Sequence, residues 1–169
     1  MISLYAIFVP VFRRYLERLD ELVAKSAAHI DDLGLPEVAL LGARLAPDML
    51  PFEAQVRIAA RFPLRALRPL APHLPDLDFP EAVSFADLRA DIAAVVGALS
   101  TLRRDDLEGR EGEMVTDRAG LADIALPAAR FVAEYALPNM FFHHTTAYAI
   151  ARWEGVNLGK ADFDGWHRY

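Results

Sequence analysis

Apolar residues repeat at steps of three and four along three separate segments, and this period constrains the fold more than any other feature. The first segment runs from Leu4 to Ala27 and carries charged residues on its other side. A helix with one buried face has this pattern. The predicted buried face consists of Phe8, Phe12, Tyr15, Leu19, Leu22 and Val23.

Start and stop signals predict two more helices. The second is predicted to begin near Asp48. Aspartate is a common N-cap residue, and with this start Pro51 falls in the first turn, where proline is tolerated. Pro63 is predicted to kink or end it. The third is predicted to open at Ser84, because Ser84 and Asp87 form the capping-box pattern. Its apolar side has the spacing of a bundle seam and comprises Phe85, Leu88, Ile92, Val95, Leu99 and Leu102.

A polar segment, residues 105–120, separates these helices from the last one. Its three glycines predict a loop, with room for a short hairpin around Glu113–Arg118. The next residues, Leu126–Leu137, are compatible with a strand or a helix, and Pro127 favours the helix. The last helix is predicted to follow with a kink at Pro138.

These elements predict an all-α four-helix bundle with a long loop before the last helix, in one domain of residues 1–169. The absence of cysteine excludes disulfides, zinc-thiolate sites and thiol nucleophiles. The net charge of −6 argues against a nucleic-acid partner. No stretch reaches the ~20 apolar residues of a membrane span, and no secretory signal is visible. We therefore expect a soluble cytoplasmic protein. The short basic clusters are predicted to be solvated helix surface: Arg13-Arg14, Arg65 with Arg68, and Arg103-Arg104.

Polar side chains gather in Leu137–Arg152, which reads LPNMFFHHTTAYAIAR. Adjacent helical residues point about 100° apart, so His143 and His144 cannot readily ligate one metal ion. Asn139 and Thr146 share the face of His143, at spacings of four and three. Two interpretations stay open. His143 belongs to a functional site, or it is a hydrogen-bonded core histidine and His144 is exposed.

Three further residues are candidates for a ligand site. Asp48 and Gln55 lie seven residues apart, so on one helix both can face a common cavity, although Asp48 is also a plausible cap. A buried glutamine must be hydrogen-bonded, so Gln55 is predicted to join a polar network or a site. Lys160 lies in the segment GVNLGKADFDG. Either this segment is a loop held by an internal cap or ion pair, or Lys160 contacts an anionic ligand. The aromatic residues of the tail are expected to pack back onto the bundle: Phe163, Trp166 and Tyr169.

Three motifs occur in order: LAPDM at Leu45–Met49 followed by Gln55-Val56, then Leu137–Arg152, then GVNLGKADFDG at Gly155–Gly165. Together they resemble a bacterial domain family of unknown function within the DinB/YfiT-like four-helix-bundle superfamily. The resemblance implies an up-down-down-up bundle with a pocket between helices, and homodimers. It also implies a metal site of three histidines, one on the second helix and an H-x-x-x-H pair on the last, or transferase activity with low-molecular-weight thiols.

The chain departs from the pattern that the resemblance implies. His143 lies where one histidine of the last helix is expected, but Ala147 takes the second position. The second helix offers Asp48 and Gln55 in place of a histidine. This departure argues against a tightly bound transition metal, so no metal ligands are predicted and the cofactor is left open.

Three functions follow as hypotheses. The first is a small-molecule enzyme or binder in which His143 is the general acid–base, since its ordinary pKa lies near neutrality. The second is a non-catalytic, homodimeric interaction protein whose metal site has decayed. The third is a residual metal-dependent, thiol-utilising transferase. For the first hypothesis the predicted ligand contacts are Asp48, Gln55, Asn139, Thr146 and Lys160.

Overall fold

The computed structural model describes residues 3–168, and its frame is four long helices with one small antiparallel sheet. The all-α bundle predicted from the sequence is confirmed. The long helices are α1 (Leu4–Asp32), α3 (Phe52–Leu67), α4 (Phe85–Ser100) and α6 (Leu137–Trp153). The short helices are α2 (Val38–Leu41), α5 (Ala128–Arg130) and α7 (Lys160–Asp164).

Helix α3 begins later than its sequence signals predicted. Pro51 is the N-cap residue and Phe52 is the first helical residue, so the prediction of Asp48 as the cap is wrong. Asp48 lies in the exposed turn before the helix. Pro63 lies inside α3, and the helix continues to Leu67 because Leu64, Ala66 and Leu67 of that last turn are buried in the core, which outweighs one lost hydrogen bond.

The predicted long loop contains a complete β-hairpin. Strand β1 (Met114–Ala119) pairs with strand β2 (Ala122–Pro127) from Met114 opposite Pro127 to Ala119 opposite Ala122. Gly120, with φ of 61°, occupies the first turn position, where a tight two-residue hairpin needs glycine. The hairpin therefore extends well beyond the predicted Glu113–Arg118.

A helical path leads directly from the hairpin into the last long helix. Helix α5 is followed by a π-helical turn, Phe131–Ala136, and then by α6. Pro138 has no N–H, and its ring would collide with the carbonyl of Glu134 in a regular helix. A π-turn adds one residue per turn at this place and so accommodates the proline. The ambiguous segment Leu126–Leu137 is thus strand to Pro127 and helical beyond it.

The long helices pack in the spatial order α1, α4, α3, α6, and α7 lies against α1 and α6. The Phe163 ring of α7 lies 5.5 Å from Tyr15 and 4.8 Å from His144, centroid to centroid. Trp166 is 68% exposed, with the Arg14 guanidinium 3.9 Å above its ring, and Tyr169 lies outside the described residues. Within residues 3–168 there is no helix with the length and apolar character needed to cross a membrane.

Candidate functional site

A cavity of about 890 Å³ lies between α3, the helical path Tyr135–His143, the hairpin and the loop Pro75–Phe79. Small-molecule sites typically enclose roughly 300–1,000 Å³, so the cavity has the size of a ligand pocket. Its wall combines apolar side chains with a set of charged and polar ones: Arg61, Arg65, Arg68, Asp76, Asp117, Arg118, Tyr135, Asn139 and His143.

Helical periodicity lines the cavity with two rows of side chains, one polar and one mostly apolar. On one side, Tyr135, Asn139 and His143 follow at steps of four, which places them on one face. The facing row on α3 has steps of four and three and comprises Ile58, Phe62 and Arg65. Since α3 and α6 are the most extensively packed pair of helices, the two rows approach each other closely.

The imidazole of His143 is held by Gln55. Nδ1 of His143 lies 2.7 Å from Oε1 of Gln55, and Nε2 of Gln55 donates to the Leu50 carbonyl at 3.2 Å. The second hydrogen bond orients the amide so that its oxygen faces the imidazole. An amide oxygen can only accept, so the proton of the neutral ring is on Nδ1 and the lone pair is on Nε2.

The surroundings of His143 favour its neutral form. Its ring stacks on Phe62 with centroids 6.1 Å apart and meets Phe142 edge-on at 5.2 Å. Burial between these rings lowers the pKa of His143 below its ordinary value. Within the described part of the chain Nε2 has no hydrogen-bond partner, and the ring borders the cavity. A neutral imidazole is thus available to take a proton from a bound molecule.

Arg65 joins the hairpin to α3 across the cavity. Its guanidinium donates to the Asp117 carboxylate through Nε and, at 2.8 Å, through Nη2, and it also donates to the Arg118 carbonyl. It lies 5.4 Å from the Phe62 ring centroid and 5.8 Å from that of Tyr135. The pKa of Tyr135 is raised, chiefly by burial, against the opposing effect of Arg65. The phenol is therefore neutral near pH 7.

The structure brings together three of the six residues predicted for the site. Gln55 is buried behind His143, and Asn139 lines the cavity one helical turn before it. The Asn139 amide nitrogen donates to the Tyr135 carbonyl at 2.7 Å, inside the π-turn. This bond satisfies a carbonyl that lies where the regular helical pattern is interrupted.

The other three predicted contacts lie elsewhere. Asp48 is exposed and outside the cavity lining. Thr146 is buried, donates to the Phe142 carbonyl at 2.7 Å and borders a different, shallow groove. Lys160 is the exposed first residue of α7, in a loop capped from within by Asp162, which accepts from the Gly159 N–H at 2.7 Å. Asp48 was misplaced because the helix begins three residues later than its signals suggested.

One of the two interpretations required His144 to be exposed, and the structure shows that it is not. The ring is fully buried, next to Tyr15 and Phe163, and neither ring nitrogen has a hydrogen-bond partner within residues 3–168. Burial lowers the pKa of His144 to about 4. In that interpretation the hydrogen bond of His143 is confirmed, whereas the exposure of His144 is wrong, because His143 is the more accessible of the two.

Sequence reasoning missed the arginines of α3. Arg65 and Arg68 were predicted to be solvated surface, and their side chains are 39% and 38% exposed, but both also line the cavity together with Arg61. A signal was present, because these three residues follow at steps of four and three and therefore share one helix face. What the sequence could not indicate is that the hairpin lies over that face.

The residues at His143 do not fit the three-histidine metal site that the superfamily resemblance implies. Ala147 is buried in the core, and Asp48 is not among the residues that line the cavity. Nδ1 of His143 is occupied by Gln55. In the described range, 3–168, no three histidine or carboxylate side chains converge as metal ligands. Transition metals require such a set of converging donors.

Comparison with known proteins finds a matching domain family and a matching crystal structure. Residues 4–164 match a domain of unknown function (DUF1993). The crystal structure of a DinB family member protein from Shewanella denitrificans matches with a TM-score of 0.86 and 30% sequence identity, over 98% of this chain and 94% of that chain. No curated protein matches the chain significantly. The similarity therefore covers both the sequence and the fold of nearly the whole chain.

Proposed function

The chain belongs to the family of the domain of unknown function DUF1993, with a DinB-like fold, and from that premise we propose that it binds a small molecule beside His143, which acts as a general acid–base. The observation that carries this proposal is the 2.7 Å contact between Gln55 and His143 at the wall of a ligand-sized cavity. Residues whose protonation is tuned by burial and by an oriented partner are typical of functional sites.

The proposed chemistry is a proton transfer at Nε2 of His143. The lone pair takes a proton from the bound molecule. The Nδ1–H of the ring donates to Gln55 in both the neutral and the protonated state. Because burial lowers the pKa of His143, the imidazolium releases the proton readily to a product atom. A positioned acid–base group of this kind typically contributes about 10²–10⁴-fold to a rate.

Hydrolysis of p-nitrophenyl acetate tests whether His143 is an accessible base. We expect His143→Gln to lose most of the protein-catalysed rate, because glutamine keeps a hydrogen-bonding group but cannot act as a base. His29→Gln serves as the control, since His29 is a half-buried histidine on α1 whose Nε2 lies 3.1 Å from the Glu154 carbonyl and which is outside the cavity lining. Circular dichroism checks that both variants fold. Equal rates for wild type and His143→Gln would contradict the proposal.

A second candidate function is homodimerisation through the outer face of α6. Phe142 is 59% exposed and Trp153 is 78% exposed on this face. A shallow groove beside them has an almost wholly apolar wall that includes Leu45, Phe142 and Ala149. Adjoining exposed apolar side chains mark protein interfaces more often than isolated ones do. This arrangement supports the interaction-protein alternative, in which two copies cover each other's groove.

Sedimentation equilibrium separates a dimer from a monomer. Phe142→Glu places a charge in the wall of the groove and is expected to give a monomer. Leu121→Glu is the matched control, because Leu121 is 95% exposed in the hairpin turn, away from α6. A wild-type protein that is monomeric at micromolar concentrations contradicts this candidate and leaves the His143 proposal untouched.

A further inference from the structure

The cavity is positively charged in a protein whose net charge is −6. Its lining includes four arginines and two aspartates, a formal excess of two positive charges. A concave wall of one sign concentrates ions of the opposite sign, because low-dielectric surroundings focus the field. The charged lining residues are Arg61, Arg65, Arg68, Arg118, Asp76 and Asp117.

Most of these arginines already have partners. Arg65 is bound in two places to Asp117, which makes it part of the hairpin anchor. Arg68 lies 2.6 Å from the well-exposed Asp76 carboxylate. Arg118 donates to the Gly120 carbonyl at 3.2 Å and lies 3.3 Å from Asp123. Such exposed pairs are weak and can reorganise around a ligand.

Arg61 differs from its neighbours. It has no hydrogen bond and no ion pair with any residue from 3 to 168, and its guanidinium lies 5.4 Å from the centroid of the Phe79 ring. Its charge acts on Asp91 of α4 without forming a direct pair. The ring supports the guanidinium at the cavity while leaving its N–H groups free. An arginine with free N–H groups in a concave site suits a carboxylate or phosphate group.

The apolar part of the cavity wall indicates the chemistry of the rest of the ligand. Ile58, Phe62, Leu77 and Phe79 give the cavity an extensive apolar surface. We infer that the cavity binds an amphipathic organic anion, with its carboxylate or phosphate group on Arg61 and its apolar body against Phe62 and Phe79. The inference rests on the proposed function, because it assigns a ligand class to the cavity that His143 borders.

A pair of fluorescent probes tests the role of charge directly. Anilinonaphthalene sulfonate and N-phenylnaphthylamine share one aromatic body, and only the first carries an anionic group. We expect the sulfonate to bind more tightly, and Arg61→Gln to weaken its binding about tenfold, the size of one lost charge-assisted hydrogen bond. Binding of the neutral probe is expected to stay unchanged. Arg130→Gln is the control, since Arg130 is exposed, pairs with Glu134 and lies outside the cavity.

Histidine ring resonances show where the probe binds. The His143 signals are expected to shift on addition of the sulfonate, while those of His29 on α1 stay in place. Displacement by octanoate or by octyl phosphate, compared with octanol, then identifies which anionic group is preferred. Octanol is expected to be the weakest competitor.

The outcomes separate the two proposals. Equal binding of both probes with shifted His143 signals overturns the anion inference and leaves the small-molecule site intact. Unchanged sulfonate affinity in Arg61→Gln, or an octanol that competes as well as octanoate and octyl phosphate, also overturns it. No shift of the His143 signals with either probe overturns the inference and counts against the site itself. Tight sulfonate binding alongside unaltered ester hydrolysis in His143→Gln supports the anion site and contradicts the acid–base role.

Discussion

Two neighbouring histidines on α6 occupy opposite environments. His143 borders an open, positively charged cavity, is held by Gln55 and keeps one ring nitrogen free. His144 is enclosed by Tyr15 and Phe163, and neither of its ring nitrogens has a partner within the described range. An unpaired buried polar group reduces stability, whereas an oriented and accessible one can act on a ligand. Polar composition alone therefore does not identify a functional residue, because the neighbouring elements decide whether a polar side chain is accessible.

The largest expected effect is acid destabilisation through His144. Its pKa is about 4 in the folded protein and about 6.5 in the unfolded chain, so between these values only the unfolded chain takes up the proton. Stability is therefore complete above pH 6.5, falls as the pH drops to about 4, and loses nothing further from this group below that. The expected loss is about 3 kcal/mol. Urea unfolding across this range, with His144→Phe as the comparison, measures it.

In His144→Phe this part of the pH dependence is expected to vanish. Phenylalanine has a similar shape and no polar atoms to bury, so the variant is expected to be more stable than wild type at pH 5. A variant that declines as steeply as wild type would show that other groups cause the acid transition.

The next effect concerns the partner of His143. Gln55→Leu leaves the Nδ1–H of His143 buried without an acceptor, which is expected to destabilise the fold by about 1–3 kcal/mol. The ring is also expected to lose its preference for the Nδ1–H tautomer. Urea unfolding measures the first effect and nitrogen NMR of the imidazole the second. An unchanged tautomer would mean that Gln55 does not orient the ring.

Gln55→Glu tests the same contact between residue 55 and His143 with a charge in place of a dipole. A carboxylate next to the imidazole favours the protonated ring, so the pKa of His143 is expected to rise by about one unit or more, against the lowering effect of burial. The pKa of His144 on the other side of α6 is expected to stay near 4. Proton NMR titration of the ring signals follows both. A shift confined to His144 would contradict the geometry.

The smallest expected effect concerns the hairpin that covers the cavity. Arg65 and Asp117 form a partly exposed, bidentate pair, and pairs near the surface contribute at most about 1 kcal/mol. A double-mutant cycle with Arg65→Gln and Asp117→Asn is expected to give a coupling energy of this order. We also expect the two substitutions to change the affinity for the sulfonate more than they change the free energy of unfolding. A coupling energy of zero would show that other contacts hold the hairpin in place.

Local signals in the sequence predicted the helices well. Ser84 and Asp87 form the reciprocal capping box as predicted, with Asp87 N–H donating to the Ser84 hydroxyl at 3.1 Å and Asp87 accepting from the Ser84 N–H at 3.0 Å. Both partners lie within one turn, so no distant contact can displace them. Asp48 had a similar signal and failed, because Pro51 takes the cap position and the helix begins after it.

The candidate site was predicted where a shared helix face or the need of a buried group for a partner indicated it: Asn139 lies on the face of His143, and both line the cavity. A buried glutamine must be hydrogen-bonded, and Gln55 indeed lies buried against His143. Strand β2 was missed because its residues gave no clear alternation of apolar and polar positions. The role of Arg61 was missed as well, because an arginine on a helix surface has the same sequence pattern whether solvent or a hairpin covers it.

The periods of the helices, the capping box of α4 and the divergence of His143 from His144 follow from the amino-acid sequence, since each depends on covalent geometry within a few residues. Which histidine is accessible depends instead on how the other elements pack around α6. Helix α7 and α1 cover the side of His144, while α3 and the hairpin leave a cavity at His143. These contacts join residues more than a hundred positions apart in places, and so depend on how all the elements pack together.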